Sequence, residues 1–475
     1  MSFKSNALAM LTGTVMAQAL PLMAAPLLTR LYSPEAFGLQ TLFMGLAASL
    51  AVLATCRLDL ALLLPERDAE VAPVVGFIMC STLVITILTW LLLPIAEMAI
   101  GQKIPVEWLC LLPLTVFLIA TYQVGVGLAS RRQAFRSIAK ATVVNQASYV
   151  AAAIAVGFSS GWTLGLVVAK AVGQGAAAML LGRIGISEAI GGVRCWSFSS
   201  VYAAAFRYRQ FLIFNTPCSL LGSVARDAPI YIFSALAAMG SAGFFGLART
   251  VLLAPTLLAS NAFSLVFYRE AVNLRGSQRL QHLTQRLLLT GLTVLAPLFA
   301  FCAVWGDVLF VTIFGDDWRD AGIFAMVIAP AAWMAVQTGW PERLFEVNMR
   351  QGVSFAVQLG FDAFTAVAFA AAYLVSADAI VAIVVFTICS VLYHHAYLFA
   401  IFRVAGFSTK ALMHILLLGW LVFALCFAVL ASMRLQIGSA VAVSWVAGLT
   451  LSSVIAALIG MYTIRKGLNS ASGEI

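Results

Sequence analysis

Charge is scarce in this chain. Of 475 residues, only 10% are Asp, Glu, Lys or Arg, whereas a soluble domain carries roughly 25%, so a water-solvated globule is excluded. Long polar connections are lacking too. The longest, among them 184–207 and 269–281, fall far short of the roughly 50 residues that a separate catalytic domain needs. The eight cysteines show no C-x-x-C spacing, which excludes a thiolate metal site or redox dithiol of the usual form, and they read as small apolar residues. No G-x-x-x-x-G-K-[ST] sequence occurs, so a phosphate-binding loop for ATP hydrolysis is absent.

What fills the chain instead is apolar. Hydrophobic residues make up 62% and the mean hydropathy is +1.00. A bilayer-crossing helix needs about 20 such residues in a row, and backbone polar groups in lipid must be satisfied within the helix itself. The sequence predicts about fourteen crossings, at 7–31, 36–64, 72–98, 106–130, 139–158, 162–183, 208–237, 242–268, 282–306, 320–345, 352–375, 379–403, 409–432 and 437–464. His394 and His395 interrupt the twelfth. The fold class is therefore all-α, a polytopic membrane protein. Ala17-Gln18-Ala19 imitates a signal-peptidase site, but the apolar run continues to Leu31, so cleavage is not expected.

The basic residues fall on one side of these segments. With the N-terminus inside, twenty of the 28 Lys and Arg residues fall on the inner side, in connections or at helix ends. Arg30, Lys103, Arg319 and Arg434 lie outside, and four more are within the membrane. By the positive-inside rule both termini are cytoplasmic. The net charge of +9 is then a topology signal, and no nucleic-acid partner is implied.

The chain also repeats itself. Pro21 aligns with Pro229, Leu28 with Leu236, Ser33 with Ser241, and Phe37-Gly38-Leu39 with Phe245-Gly246-Leu247, at one constant offset of 208 residues. That offset spans six predicted helices, an even number, so both copies cross in the same direction and are related by an axis along the membrane normal. The expected organisation is two six-helix lobes, 1–183 and 208–403, joined by a cytoplasmic linker at 184–207. Two added helices and a tail occupy 404–475. Prolines inside membrane helices tend to kink them. Pro21 and Pro229, at matching positions, are the candidates for bending during a transport cycle, with static kinks as the plainer alternative.

Ionisable residues inside a membrane cost roughly 2.5–3.5 kcal/mol even on a mild scale, so those present usually face a cavity or a partner. Arg57 and Asp59 lie in the second segment, Lys170 in the sixth, Arg226 and Asp227 in the seventh, Arg249 in the eighth and Asp362 in the eleventh. At 1.5 Å per residue, Arg57 sits roughly 30 Å from the outer start of its segment, where snorkelling to the inner interface also explains it. Lys170 lies roughly 12 Å inward from Trp162, Arg226 about 27 Å from the cytoplasmic start of its helix, and Arg249 about 10 Å below an outer end. Residues one or two apart on a helix do not face each other, so neither Arg57–Asp59 nor Arg226–Asp227 is paired by adjacency. Two readings stand: inter-helix ion pairs that set packing, or a cationic cavity for an anionic headgroup, to which guanidinium presents a fixed fork of donors. Asp362, about 14 Å into its helix, is a candidate proton or cation coupling site, with a hydroxyl hydrogen bond as the alternative. Asp59 and Asp227 are further candidates for ion coupling. The stretch from Arg269 to Arg286 mixes basic residues with leucines and fits either an interfacial amphipathic helix or ordinary positive-inside charge.

Three stretches resemble a known family. One runs from Gly13-Thr14 through Ala17-Gln18-Ala19-Leu20-Pro21 to Leu28-Thr29-Arg30-Leu31-Tyr32-Ser33-Pro34-Glu35-Ala36-Phe37-Gly38. The others are Arg57 with Leu64-Pro65-Glu66, and Phe314-Gly315-Asp316-Asp317-Trp318-Arg319-Asp320-Ala321-Gly322. They resemble the polysaccharide transporters, Wzx-type O-antigen and exopolysaccharide flippases of the multidrug/oligosaccharidyl-lipid/polysaccharide (MOP) exporter superfamily. The resemblance implies two lobes around a central cavity and alternating access. Its implied substrate is an oligosaccharide on undecaprenyl diphosphate, moved from the inner to the outer leaflet of a bacterial inner membrane. A polysaccharide polymerase and a chain-length regulator are implied partners, and no cofactor is. The lipid II-flipping relatives carry cavity cations on helices 1, 2 and 8. Arg57 and Arg249 occupy comparable helices, whereas helix 1 has only Arg30 at its outer end, leaving Arg226 and Lys170 to supply the missing charge. Two rivals follow. A cation-exporting multidrug antiporter of the same superfamily would favour deep carboxylates over deep arginines. An O-antigen polymerase or membrane glycosyltransferase would need a long loop or catalytic domain. A non-enzymatic flippase is the expectation.

Overall fold

The computed structural model describes residues 3–65, 67, 70–100, 106–160, 162–191, 198–236 and 238–437. The expected crossing at 437–464, the tail beyond it and the linker centre at 192–197 lie outside the described residues. Among those described, the chain is helical throughout, and eleven helices are long and apolar enough to cross a membrane. By contact it divides into two compact units, Met1–Gly243 and Phe244–Ile475.

The first unit contains α1 (Phe3–Leu31), α2 (Pro34–Thr55), α3 (Leu58–Ala61), α4 (Val71–Ile100), α5 (Val106–Arg131), α6 (Phe135–Ser160), α7 (Gly165–Gly191), α8 (Phe198–Arg207), α9 (Thr216–Arg226) and α10 (Ala228–Ala235). Small residues decide how closely these approach. Phe43, Ala47, Ala51 and Ala54 recur along one face of α2 and meet Leu112, Val116 and Ala120 of α5 and Val167 of α7. Without a hydrophobic drive between helices in lipid, such close backbone approach is what holds them together. Gly173 repeats the device, since a Cβ there would lie 2.6 Å from the Asn145 carbonyl oxygen of α6.

α11 (Met239–Asn273) passes from the first unit into the second, which continues with α12 (Gln278–Phe314), α13 (Arg319–Gly339), α14 (Arg343–Val347), α15 (Gln351–Ser376), α16 (Ala379–Ala405) and α17 (Thr409–Ile437). Its core is aromatic. Trp318, Trp333 and Trp340 are fully buried; the Trp333 indole donates to the Leu292 carbonyl at 3.0 Å and meets Trp420 edge-on with centroids 5.0 Å apart.

Several expected helices differ in the structure. The second stops at Thr55, because Cys56 and Arg57 both take left-handed backbone, φ 49° and 55°. The sixth begins at Gly165, three residues later than expected. The seventh is not one helix. Pro217 has no N–H to give, and the chain passes through a π turn at Phe211–Asn215, where the Thr216 hydroxyl donates to the Phe211 carbonyl at 3.0 Å. It breaks again at Asp227, and Pro229 then sits in the first turn of α10, where a missing N–H costs nothing. The ninth runs from Gln278 without a break to Phe314, capped by Ser277. Gly276 turns the chain just before it at φ 74°, so 269–286 forms no separate interfacial helix.

His394 and His395 do not interrupt α16, because each ring has a partner. His395 Nδ1 lies 2.7 Å from the Val391 carbonyl and must donate to it, leaving Nε2 to accept from the Trp420 indole at 2.9 Å. That fixes a neutral tautomer. His394 Nδ1 meets the Thr338 hydroxyl at 3.0 Å.

Candidate functional site

In the first unit, the strained turn after α2 carries the first pair of expected site residues. Left-handed backbone costs a non-glycine residue roughly 1–2 kcal/mol, and here two adjacent residues adopt it. Asp59 is buried and Arg57 half-buried. Arg57 Nε and Asp59 Oδ1 are both enclosed, and neither finds a protein hydrogen-bond partner. The turn itself is pinned from outside. Arg131 of α5 donates to the Pro65 carbonyl at 2.6 Å, and Gly127 admits the Asp59 backbone, which a Cβ would meet at 2.7 Å. Asp59 lies beyond the span that ends at Thr55. Burial pushes its carboxyl above the ordinary carboxylate range, and the Arg57 guanidinium is the largest influence pulling it back. The break therefore lets charges two residues apart act on each other, as a continuous helix would not.

Lys170 stands apart from that pair. It lies in the second turn of α7, about 7.5 Å from the helix start at 1.5 Å per residue and shallower than the sequence implied. Its ammonium sits over the Tyr149 ring, 3.5 Å from the centroid. Tyr149 is buried with Leu28, Tyr32, Ala36 and Leu166. Its hydroxyl donates to Gln40 Oε1 at 3.3 Å, while the Tyr32 hydroxyl donates to the Ala153 carbonyl at 2.8 Å. No contact joins Lys170 to Arg57 or Arg226 among the described residues.

Arg226 closes α9 and is exposed, and half-buried Asp227 caps the break that follows. Around them α9 and α10 lie on α2: Ser49 meets Ser223 at 3.1 Å and Tyr231 at 3.4 Å. Pro21 and Pro229 occupy different settings, the first inside unbroken α1 and the second just after a break. The repeat-matched turns themselves touch. A Cβ on Gly38 would overlap the Met239 carbonyl, and one on Gly243 would overlap that of Pro34.

In the second unit, Arg249 of α11 and Asp362 of α15 are both half-buried and both engaged by neighbours. Arg434, expected on the outer side, grips Asp307 with two parallel bonds, at 2.9 and 2.7 Å, and ties α17 to α12. Sequence reasoning passed over Asp307, which fell just past the expected helix end. It also passed over Tyr149 and Gln40. The signal for Tyr149 was a polar stripe on one face of the fifth crossing, Thr142, Asn145, Gln146 and Tyr149, at helical spacing. Among the described residues, no group of His, Cys, Asp and Glu could hold a metal.

The fold defines the class. The chain superposes on the lipid II flippase MurJ in an inward closed conformation with a TM-score of 0.75 at 12% identity, covering 96% of this chain and 99% of that one. An inward-facing multidrug resistance MATE family transporter of the MOP superfamily gives 0.62 at 13% identity, over 82% and 95%. A point mutant of the Vibrio cholerae MATE transporter VcmN gives 0.51 at 13%, over 86% and 97%. This is the all-helical fold of MOP-superfamily flippases and transporters. A sequence comparison with curated proteins gives no match. The family model described as polysaccharide biosynthesis protein matches residues 27–323, and the chain belongs to that family.

Proposed function

We propose that this protein is a flippase. It moves an undecaprenyl-diphosphate-linked oligosaccharide from the inner to the outer leaflet of a bacterial inner membrane, for assembly of O-antigen, capsule or exopolysaccharide. The observation that carries the reading is the coincidence of a polysaccharide-biosynthesis family match with a MOP transporter fold. Either alone would allow an enzyme of the pathway or an exporter of unrelated cargo. In this reading both termini are cytoplasmic, residues 1–183 and 208–403 are the moving lobes, and Pro21 and Pro229 mark where they bend. The candidates for holding the headgroup are Arg57 and Arg226 in the first unit and Arg249 in the second, whose planar forks match phosphate. Asp362 is the candidate coupling carboxylate, and Asp59 and Asp227 are further candidates for ion coupling. A polymerase and a chain-length regulator would receive the product.

The membrane potential can drive the step. Carrying two negative charges outward across an inside-negative potential of about 100 mV releases roughly 4–5 kcal/mol. The reading is tested by complementation of a deletion strain, scored as surface polysaccharide. Arg249→Glu should abolish polysaccharide with normal expression, and Arg249→Lys should reduce it, because an ammonium lacks the fork. Full activity in the charge-reversed protein would remove Arg249 from the site. The rival, a cation antiporter of the same superfamily, would instead confer dye or drug resistance on the same strain.

A further inference from the structure

The proposed phosphate-binding set leaves out Lys170, which the sequence places among its candidates. It lies inside the first unit, on a helix packed against α5 and α6, and its ammonium rests on an aromatic face. A cation so placed is stabilised by the ring quadrupole. No carboxylate comes within ion-pair distance among the described residues. α6 brings Tyr149, α2 brings Gln40, the turn after α1 brings Tyr32, and α7 itself brings Gln174 one turn on, whose Oε1 is enclosed without a partner. Neither phenol can serve as the missing anion, because each already donates its proton to a neighbour, Tyr149 to Gln40 and Tyr32 to Ala153. A half-buried ammonium with no carboxylate in reach can acquire an anion or give up a proton. The second needs no opening wider than a water file.

We infer that Lys170, held over Tyr149, is a proton-exchange site of the transport cycle. The ammonium passes one proton to water in one conformation, leaving a neutral amine beside Gln40 and Gln174, and takes one from water in the other. The inference rests on the flippase reading but goes beyond it, since that reading places ion coupling at a carboxylate and none at Lys170.

Arginine separates the two roles of a cation here, because it binds anions at least as well as lysine but does not lose its proton. The experiment is lipid-linked oligosaccharide translocation in proteoliposomes, with membrane potential clamped at zero and a one-unit pH gradient imposed. Wild type should respond to the gradient, which biases each coupled proton by about tenfold. Lys170→Arg should translocate at the same rate with and without the gradient while still responding to membrane potential. Lys170→Met should behave likewise. An arginine variant that keeps the full gradient response overturns the inference. So does loss of that response in Asp362→Asn alone, which would assign coupling to the carboxylate. Should the Lys170 variants fail to fold, the wild-type protein still decides: translocation that ignores the pH gradient refutes proton exchange. Absence of any translocation by wild type would instead refute the flippase reading beneath it.

Discussion

The turn after α2 holds two left-handed residues in succession, and glycine there should relieve strain. Cys56→Gly removes a backbone penalty of about 1–2 kcal/mol and returns about 0.5–1 kcal/mol as extra unfolded-chain entropy. It also loses the weak bond from the Cys56 thiol to the Leu53 carbonyl. The net is a gain of about 0.5–1 kcal/mol, or roughly 1–3 °C in Tm for a unit of this size. Arg57→Gly relieves the same strain, yet takes the cation away from Asp59, whose exposure is only 8%. Stripping a partner from a fully buried charge costs about 3–5 kcal/mol. With Arg57 half-buried, a discounted cost of about 1–2 kcal/mol applies, so this variant should be no more stable than wild type. Adding Asp59→Asn should recover the gain. Tryptophan fluorescence during heating of the detergent-purified protein reads all three. Complementation should show Cys56→Gly active and Arg57→Gly inactive. A lower Tm for Cys56→Gly, or equal gains for both glycine variants, would refute the strain argument.

Asp59 also gives a pH signature: because burial raises its carboxyl in the folded state, ionising it costs stability as pH rises from the ordinary Asp range through the raised value. The Tm advantage of Asp59→Asn should therefore grow across that window and then stay level, and an advantage that shrinks with rising pH contradicts the burial argument. Arg434→Gln or Asp307→Asn should each cost about 1–3 kcal/mol, below the fully buried limit because the Arg434 side chain is 34% exposed. A double-mutant cycle in the same melts should show coupling of about 1 kcal/mol or more, and additive losses would deny the pair. Gly38→Val forces a side chain into the Met239 carbonyl and should cost at least about 1–3 kcal/mol. Gly360→Ala, with nothing within 4 Å, should gain about 0.5–1 kcal/mol, and equal melting of the two would contradict the close packing at the turn.

The crossings were legible because bilayer thickness and backbone satisfaction leave a long apolar run one form to take. Ends and breaks were not. Cys56 and Arg57 carry no glycine to announce a left-handed turn, and the turn exists because Arg131 and Gly127 of a distant helix hold it. Pro217 and Pro229 did mark the trouble in the seventh crossing, but a proline kink, a π turn and a full break look alike in sequence. The same limit governs the site. Arg57, Lys170 and Asp59 stood out as charges in apolar surroundings, whereas Tyr149 and Gln40 are ordinary residues that matter through what they touch. Pairing depends on rotation about helix axes, which residue spacing fixes within one helix and not between two.

The central claim is tested most directly by reconstitution. Purified protein in liposomes would be given a fluorescent undecaprenyl-diphosphate oligosaccharide, and the outer-leaflet fraction followed by quenching from outside. Protein-dependent exchange between leaflets, without ATP and faster when membrane potential favours outward movement of negative charge, is the predicted result. No protein-dependent exchange of the lipid-linked sugar, with cationic dye moved against a proton gradient by the same vesicles, would contradict it.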